Sequence, residues 1–205
     1  MVSRYQCLSA LAQLIGDSLV ILGVSGVAEE WHSLRPSDAN LYSGCMGTAT
    51  SLGLGLALAL PHRQVVAMEG DGGFLMNLSA VATLGNIRPD NLLVVVFDNE
   101  CYDCIGGSPT ATAGDVDIAS IAVGAGIKNA QTVHSEAEFK TAIEPALKEK
   151  SFSFIVAKVE PGTKKSKLKD TSRLEEKFRF VRYLEQTEGI KILTQTRQTR
   201  PGTSA

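Results

Sequence analysis

Two short polar segments, Gly70-Asp71-Gly72-Gly73 and Asp98-Asn99, each close an apolar run in the stretch VVAMEGDGGFLMNLSAVATLGNIRPDNLLVVVFDNECYD. Val65-Val66-Ala67-Met68 reads as a buried strand, Phe74 to Leu84 as a helix, and Leu92 to Phe97 as a second buried strand. A strand-helix-strand unit of this length is a right-handed crossover, so the two strands run parallel and end on one sheet edge. Asp71 and Asn99, far apart in sequence, therefore meet where open α/β sheets bind ligands. A carboxylate with a carboxamide is hard oxygen ligation suited to Mg²⁺, which also takes phosphate oxygens and water. Gly70, Gly72 and Gly73 allow a tight bend whose N–H groups can face an anion at the start of the next helix. The chemistry these residues ask for is a metal-bridged diphosphate. The plainer alternative is a turn in which Asp71 merely caps the helix.

The elements that must position these groups alternate steadily. Ser3 can cap a first helix with Tyr5, Leu8, Leu11, Ala12 and Ile15 on one face. Leu19 to Val24 reads as a buried strand, followed by a polar loop from Ser25-Gly26 through Glu29, Glu30, Trp31 and His32, and a turn at Arg35-Pro36-Ser37-Asp38. Gly44-Cys45-Met46-Gly47 opens a helix from about Thr48 to Leu60, whose small residues permit close packing on a sheet, and Pro61-His62-Arg63 breaks it. After a loop from Asp98 to Asp115 come a helix near Ile118 to Val123, a short strand ending at Val133, a Ser135-capped helix from Glu136 to Lys148 and a last strand from Phe152 to Val159. Buried parallel strands alternating with helices predict an α/β domain, a doubly wound parallel sheet with helices on both faces, over residues 1–160. Residues 161–190 read as a basic linker (Lys164-Lys165-Ser166-Lys167-Leu168-Lys169), a capping box at Ser172 to Glu175, and a helix with Leu174, Phe178, Val181 and Leu184 on one face, ended by Gly189. Residues 191–205, polar and Thr-rich, are expected to be a disordered tail.

Composition narrows the class. At 205 residues with 44% hydrophobic residues, the chain has the material for one domain with a substantial core. A net charge of −2 gives no basic field to attract nucleic acid, and the lysine run alone is weak support for it. The apolar stretch from Leu52 to Leu60 is too short to span a bilayer, so no membrane partner is expected. Polar residues at Ser3 to Gln6 and Gln13 to Asp17 interrupt any signal-peptide core. Cys7, Cys45, Cys101 and Cys104 lack the spacing of a disulfide framework, and a cytoplasmic home is the expectation. Cys101-Tyr102-Asp103-Cys104 is a CxxC, but no second pair stands at ligand spacing to complete a zinc site.

An apolar strand, GDG, a helix, a second strand and then Asn resemble the thiamine diphosphate (ThDP) fingerprint. The segment SGCMGTATSLGLGLALA at 43–59, the run FLMNLSAVATLG and Gly106-Gly107-Ser108-Pro109-Thr110 extend the resemblance. Together they are most similar to the ThDP-dependent 2-oxo acid decarboxylases of the sulfopyruvate and phosphonopyruvate type, in particular to their separate diphosphate-binding (PP) chain. The resemblance covers roughly residues 1–160. It implies a ThDP-binding fold in which Asp71, Asn99 and the Cys101 carbonyl would be Mg²⁺ ligands. Ser25, Gly26, Gly70, Gly72, Gly73 and Tyr102 would touch the diphosphate. Met46 would be the apolar wedge that bends the cofactor, and the Gly44 carbonyl would accept from its aminopyrimidine.

The resemblance also implies what this chain must obtain elsewhere. Activation needs a glutamate against the pyrimidine, supplied by a separate pyrimidine-binding (α) subunit, because Glu29, Glu30 and Glu69 lie on the PP domain's own side. The implied reaction is decarboxylation of a small 2-oxo acid, such as 3-sulfopyruvate, to CO₂ and an aldehyde. The expected Ser-Arg-Glu run after the first strand is replaced by Glu29-Glu30-Trp31, leaving Arg35 or His32 as stand-ins for an anion-binding arginine. The alternatives are a subunit of another ThDP enzyme, an acetolactate-synthase-like carboligase or a 2-oxo acid oxidoreductase, and a ThDP-binding regulatory subunit without turnover.

Overall fold

A computed structural model describes residues 2–24, 26–149, 151–164 and 173–193, and the side chains of Arg173 and Leu174 lie outside that description. In chain order the elements are α1 (Arg4–Leu14), β1 (Leu19–Leu22), α2 (Gly26–Leu34), β2 (Asn40–Tyr42), α3 (Ala49–Ala59), β3 (Val65–Gly70), α4 (Asp71–Met76), α5 (Ser79–Ile87) and β4 (Leu92–Asp98). A small hairpin of β5 (Cys101–Tyr102) and β6 (Ser108–Pro109) follows. Then come α6 (Ile118–Gly124), β7 (Gln131–Val133), α7 (Glu136–Lys148), β8 (Ser153–Lys158) and α8 (Arg173–Glu188). Among the described residues six strands form one sheet in the order β2-β1-β3-β4-β8-β7, every pair parallel.

The pleat divides each central strand between two cores. Leu19 and Ile21, Val65 and Ala67, Leu92, Val94 and Val96, and Phe154 and Val156 face the side covered by α3, α6 and α8. Their neighbours Val20, Leu22, Val66, Met68, Leu93, Val95, Phe97, Ile155 and Ala157 face α1, α2 and α7. With both faces covered, the strands have no polar side to alternate with, which is why they read as continuous apolar runs. This is the doubly wound α/β sheet expected from the sequence.

Several local expectations are corrected. Residues 26–34 form helix α2 rather than a polar loop, because Val27, Ala28 and Trp31 supply a buried face and Glu30 is buried against Arg4. The expected helix over 74–84 is two helices, α4 and α5, broken at Asn77, whose side chain donates to the Gly47 carbonyl at 2.7 Å instead. The loop from 98 to 115 contains the β5–β6 hairpin, and β2 was not foreseen. In α8 the core-facing residues are Phe180 and Leu184, whereas Phe178 is 51% exposed. Apolar residues at 178, 180, 181 and 184 fit more than one helical face, and only docking beside β2 selects between them. Ser172, most of the basic linker and residues 194–205 lie outside the described residues.

Candidate functional site

Strands β3 and β4 pair in register up to Gly70 opposite Phe97, so Asp71 and Asp98-Asn99 leave the sheet side by side at its carboxyl edge. There a cavity of about 30 Å³ is lined by Met46, Gly70 to Gly73, Asn99 and Cys101 to Cys104, with Val24, Phe97 and Arg4. A space of this size holds an ion or a water or two, and anything larger must lie across its mouth. Of the residues singled out by sequence, Met46, Gly70, Asp71, Gly72, Gly73, Asn99, Cys101 and Tyr102 come together here. Gly44 is exposed, at φ +78°, and does not line the cavity. Gly26 begins α2, where the Arg4 guanidinium lies against it. Ser25 lies outside the described residues.

Asp71 is buried at the first position of α4. Its Oδ2 accepts from Thr110 Oγ1 at 2.6 Å and from Thr112 Oγ1 at 3.0 Å. Thr112 also reaches Asp98 Oδ1 at 2.7 Å, and Lys158 closes the row on Asp98 Oδ2 at 2.9 Å. Burial raises the Asp71 pKa against the pull of the Thr110 hydroxyl, and the charge of Asp98 pushes the same way. A carboxylate held in that condition favours a nearby cation. Asn99 donates its amide N–H to Asp103 Oδ2 at 2.7 Å, which fixes the flip and leaves Oδ1 with one long contact, from the Cys101 N–H at 3.4 Å. The cavity wall thus holds a carboxylate oxygen from Asp71 and an amide oxygen from Asn99, with Cys101 beside them. Hard oxygens with one negative charge are the kind of donor that Mg²⁺ takes together with phosphate.

The walls are fixed by close contacts. A Cβ on Gly72 would collide with the Tyr102 ring, so the turn after β3 must be glycine there. Glu69 is buried one residue before the motif and accepts from Thr50 through its hydroxyl at 2.8 Å and its N–H at 3.4 Å. It thereby supplies the N-terminal cap that Thr48 does not give α3, and ties the start of that helix to β3. Burial raises the Glu69 pKa, opposed by those Thr50 hydrogen bonds.

Other candidates leave the site. His32 pairs with Glu176 of α8 at 3.0 Å, and burial lowers its pKa. Arg35 bonds the carbonyls of Ala12 and Gly16, at the end of α1. Neither can stand in for an anion-binding arginine at the cavity. Among the described residues no three His, Cys, Asp or Glu side chains are grouped to hold a metal, so the CxxC gains no partners. Burial and the neighbouring Asp103 carboxylate hold the Cys101 thiol up at about 12, far from a reactive thiolate. Conversely, sequence reasoning gave no role to Arg4 or Thr112, which lack any local signature, and it quoted Asp98, Asp103 and Thr110 within motifs without assigning them a part in the site.

Residues 25–157 match the model of the thiamine pyrophosphate enzyme C-terminal TPP-binding domain. The chain belongs to the thiamine pyrophosphate (that is, ThDP) enzyme family. Within it, the chain is 31% identical over 180 residues to a protein named sulfopyruvate decarboxylase subunit beta of Methanocaldococcus jannaschii, covering 87% of this chain and 95% of that one. It is 33% identical to phosphonopyruvate decarboxylase of Streptomyces viridochromogenes over 75% of this chain, but spans only 38% of that longer protein. The fold is that of benzoylformate decarboxylase from Polynucleobacter necessarius, with a TM-score of 0.63 at 22% identity over 80% of this chain and 34% of the other. No helix among the described residues is long and apolar enough to cross a membrane.

Proposed function

We propose that this chain is the diphosphate-binding β subunit of a cytoplasmic, ThDP- and Mg²⁺-dependent carboxy-lyase that decarboxylates a small 2-oxo acid of the 3-sulfopyruvate class. The observation that carries the reading is the convergence of Asp71, Asn99 and Cys101 with the Gly70–Gly73 turn in one cavity, in a chain spanning 95% of a sulfopyruvate decarboxylase β subunit. In this reading Asp71, Asn99 and the Cys101 carbonyl hold Mg²⁺, and the N–H groups at the start of α4 face the diphosphate. Ser25 and Gly26 contact the same diphosphate in this reading. Met46, half-buried on the cavity wall, presses on the organic part of the cofactor, and the Gly44 carbonyl accepts from its amine. When bound, the cofactor supplies a carbon nucleophile and a sink for the electrons released as CO₂ departs. The chain's own residues orient it and keep its metal in place.

The reading requires a second polypeptide. Glu30 and Glu69 are both almost fully buried, Glu30 against Arg4 and Glu69 against Thr50, so neither is presented to a pyrimidine ring. The activating glutamate then comes from a separate α subunit, which would dock where α3 and α4 expose Leu52 and Met76, at 40% and 63% exposure. The experiment is co-expression with a pyrimidine-domain polypeptide and assay on 3-sulfopyruvate. Aldehyde and CO₂ from the pair, with almost none from this chain alone, is the expected result. Full turnover by this chain alone would refute the two-chain site, and an acyl-CoA or acetolactate product would refute the reaction class.

A further inference from the structure

Arg4 is the cation lining the cavity, and it is almost fully buried, at 5% exposure. Its Nε donates to Glu30 Oε2 at 2.9 Å, and its Nη2 to the Gly162 carbonyl at 3.0 Å and Thr163 Oγ1 at 2.9 Å. Among the described residues its Nη1 has no partner. A Cβ on Gly26 would strike both the guanidinium and Thr163, so Arg4 is seated on the first residue of α2. That nine-residue helix leaves its first N–H groups without intrahelical partners at this point. An unfilled guanidinium position beside a helix N-terminus is a place for an anion.

We propose that Arg4 binds the cofactor's diphosphate directly, from the same cavity that Asp71, Asn99 and Cys101 line, an inference that rests on the ThDP reading above. Asp71 and Asn99 deal with the anion through a cation, and Arg4 meets it as a cation itself. The charge arithmetic calls for such a group. A diphosphate ester carries close to three negative charges, and Mg²⁺ with the Asp71 carboxylate neutralises about one of them. Glu30 shares the guanidinium charge in the resting chain, which makes burial of Arg4 tolerable until an anion arrives. The segment that grips Arg4 also reaches the metal side, because the Gly162 N–H donates to Asp103 Oδ2, the oxygen that holds the Asn99 amide. Residues 162 and 163 thus set both ends of the anion site with one backbone.

The test uses inorganic diphosphate with Mg²⁺ as the probe, titrated calorimetrically into the full chain, so that it reads binding without turnover. Arg4→Gln should weaken binding by about tenfold to a hundredfold, the worth of a charge-assisted hydrogen bond. Glu30→Gln removes the competing carboxylate while keeping its shape and should tighten binding several-fold. A purely structural role for the Arg4–Glu30 pair requires the opposite sign, a loss in both variants. Unfolding curves of each variant separate loss of fold from loss of the site, and Glu30→Gln carries the test if Arg4→Gln does not fold. Binding by the wild type with equal affinity in Arg4→Gln, or weaker binding in Glu30→Gln, overturns the proposal alone. Failure of the wild-type chain to bind Mg²⁺–diphosphate at all overturns the ThDP site with it.

Discussion

Replacing Thr112 by valine should destabilise the chain by about 2 kcal/mol at neutral pH. Thr112 is 4% exposed, and its hydroxyl oxygen lies 2.7 Å from Asp98, 3.0 Å from Asp71 and 2.9 Å from Thr110. It has one proton to give, so valine removes one hydrogen bond to a carboxylate, worth roughly 1.5–3 kcal/mol, and puts a methyl group between two acids. The loss falls toward the lower part of that range because each acid keeps another donor, Lys158 on Asp98 and Thr110 on Asp71. With a urea m-value of about 2 kcal/mol/M, the unfolding midpoint should fall by about 1 M. Acidification should narrow the gap. The Asp71 pKa is already raised, and once protonated its own O–H can take up the role of the missing donor. Urea curves that coincide at pH 7, or a gap that widens at lower pH, would refute the reasoning.

Further expectations concern packing, protonation and the cofactor wall. Gly53→Ala should cost about 1–3 kcal/mol, because its Cβ would stand 2.7 Å from that of Ala67 on β3, whereas Gly55→Ala, with open space around it, should gain a few tenths to about 1 kcal/mol. Equal midpoint shifts in the two variants would contradict the α3–β3 contact. Since the folded chain holds a proton on Asp71 above the ordinary value of 3.8, that residue's contribution favours the metal-free fold at low pH and is lost as pH rises through the raised pKa. Asp71→Asn should therefore raise the Tm of the metal-free chain at pH 7, and Mg²⁺–ThDP affinity of the wild type should decline on acidification before an ordinary aspartate would protonate. An unchanged or lower Tm would show that Asp71 is stabilising as found. Met46→Ala in the two-chain enzyme should lower kcat by tenfold or more with little change in ThDP affinity, and equal loss in both would return Met46 to a packing role.

The sheet was legible because burial on both faces writes itself locally. Leu92 to Phe97 contains no polar residue, and the GDGG turn and Asn99 mark where two such strands end. Asp71 and Asn99 could be brought together for the same reason, since βαβ geometry alone carries both to one edge, whereas Cys101 joined them only through the family resemblance. What escaped depends on partners distant in sequence. Helix α2 looked like a loop because Glu30 reads as exposed until Arg4, from another helix, is seen beside it. Strand β2 is three residues long, and Asn40, its first, is buried through bonds to Trp31 and the Arg35 carbonyl rather than by an apolar side chain. Thr112 carries no motif, and its role exists only because β4 and α4 deliver two carboxylates to either side of it.

The most direct measurement is calorimetric titration of thiamine diphosphate into the full chain, with Mg²⁺ and with EDTA, for the wild type and for Asp71→Asn. The account predicts Mg²⁺-dependent binding in the wild type that is lost on chelation and lost in Asp71→Asn, with the variant's unfolding transition intact. Binding that survives EDTA, or that Asp71→Asn retains at wild-type affinity, would contradict the assignment of Asp71 and Asn99 as the metal's anchor on the diphosphate.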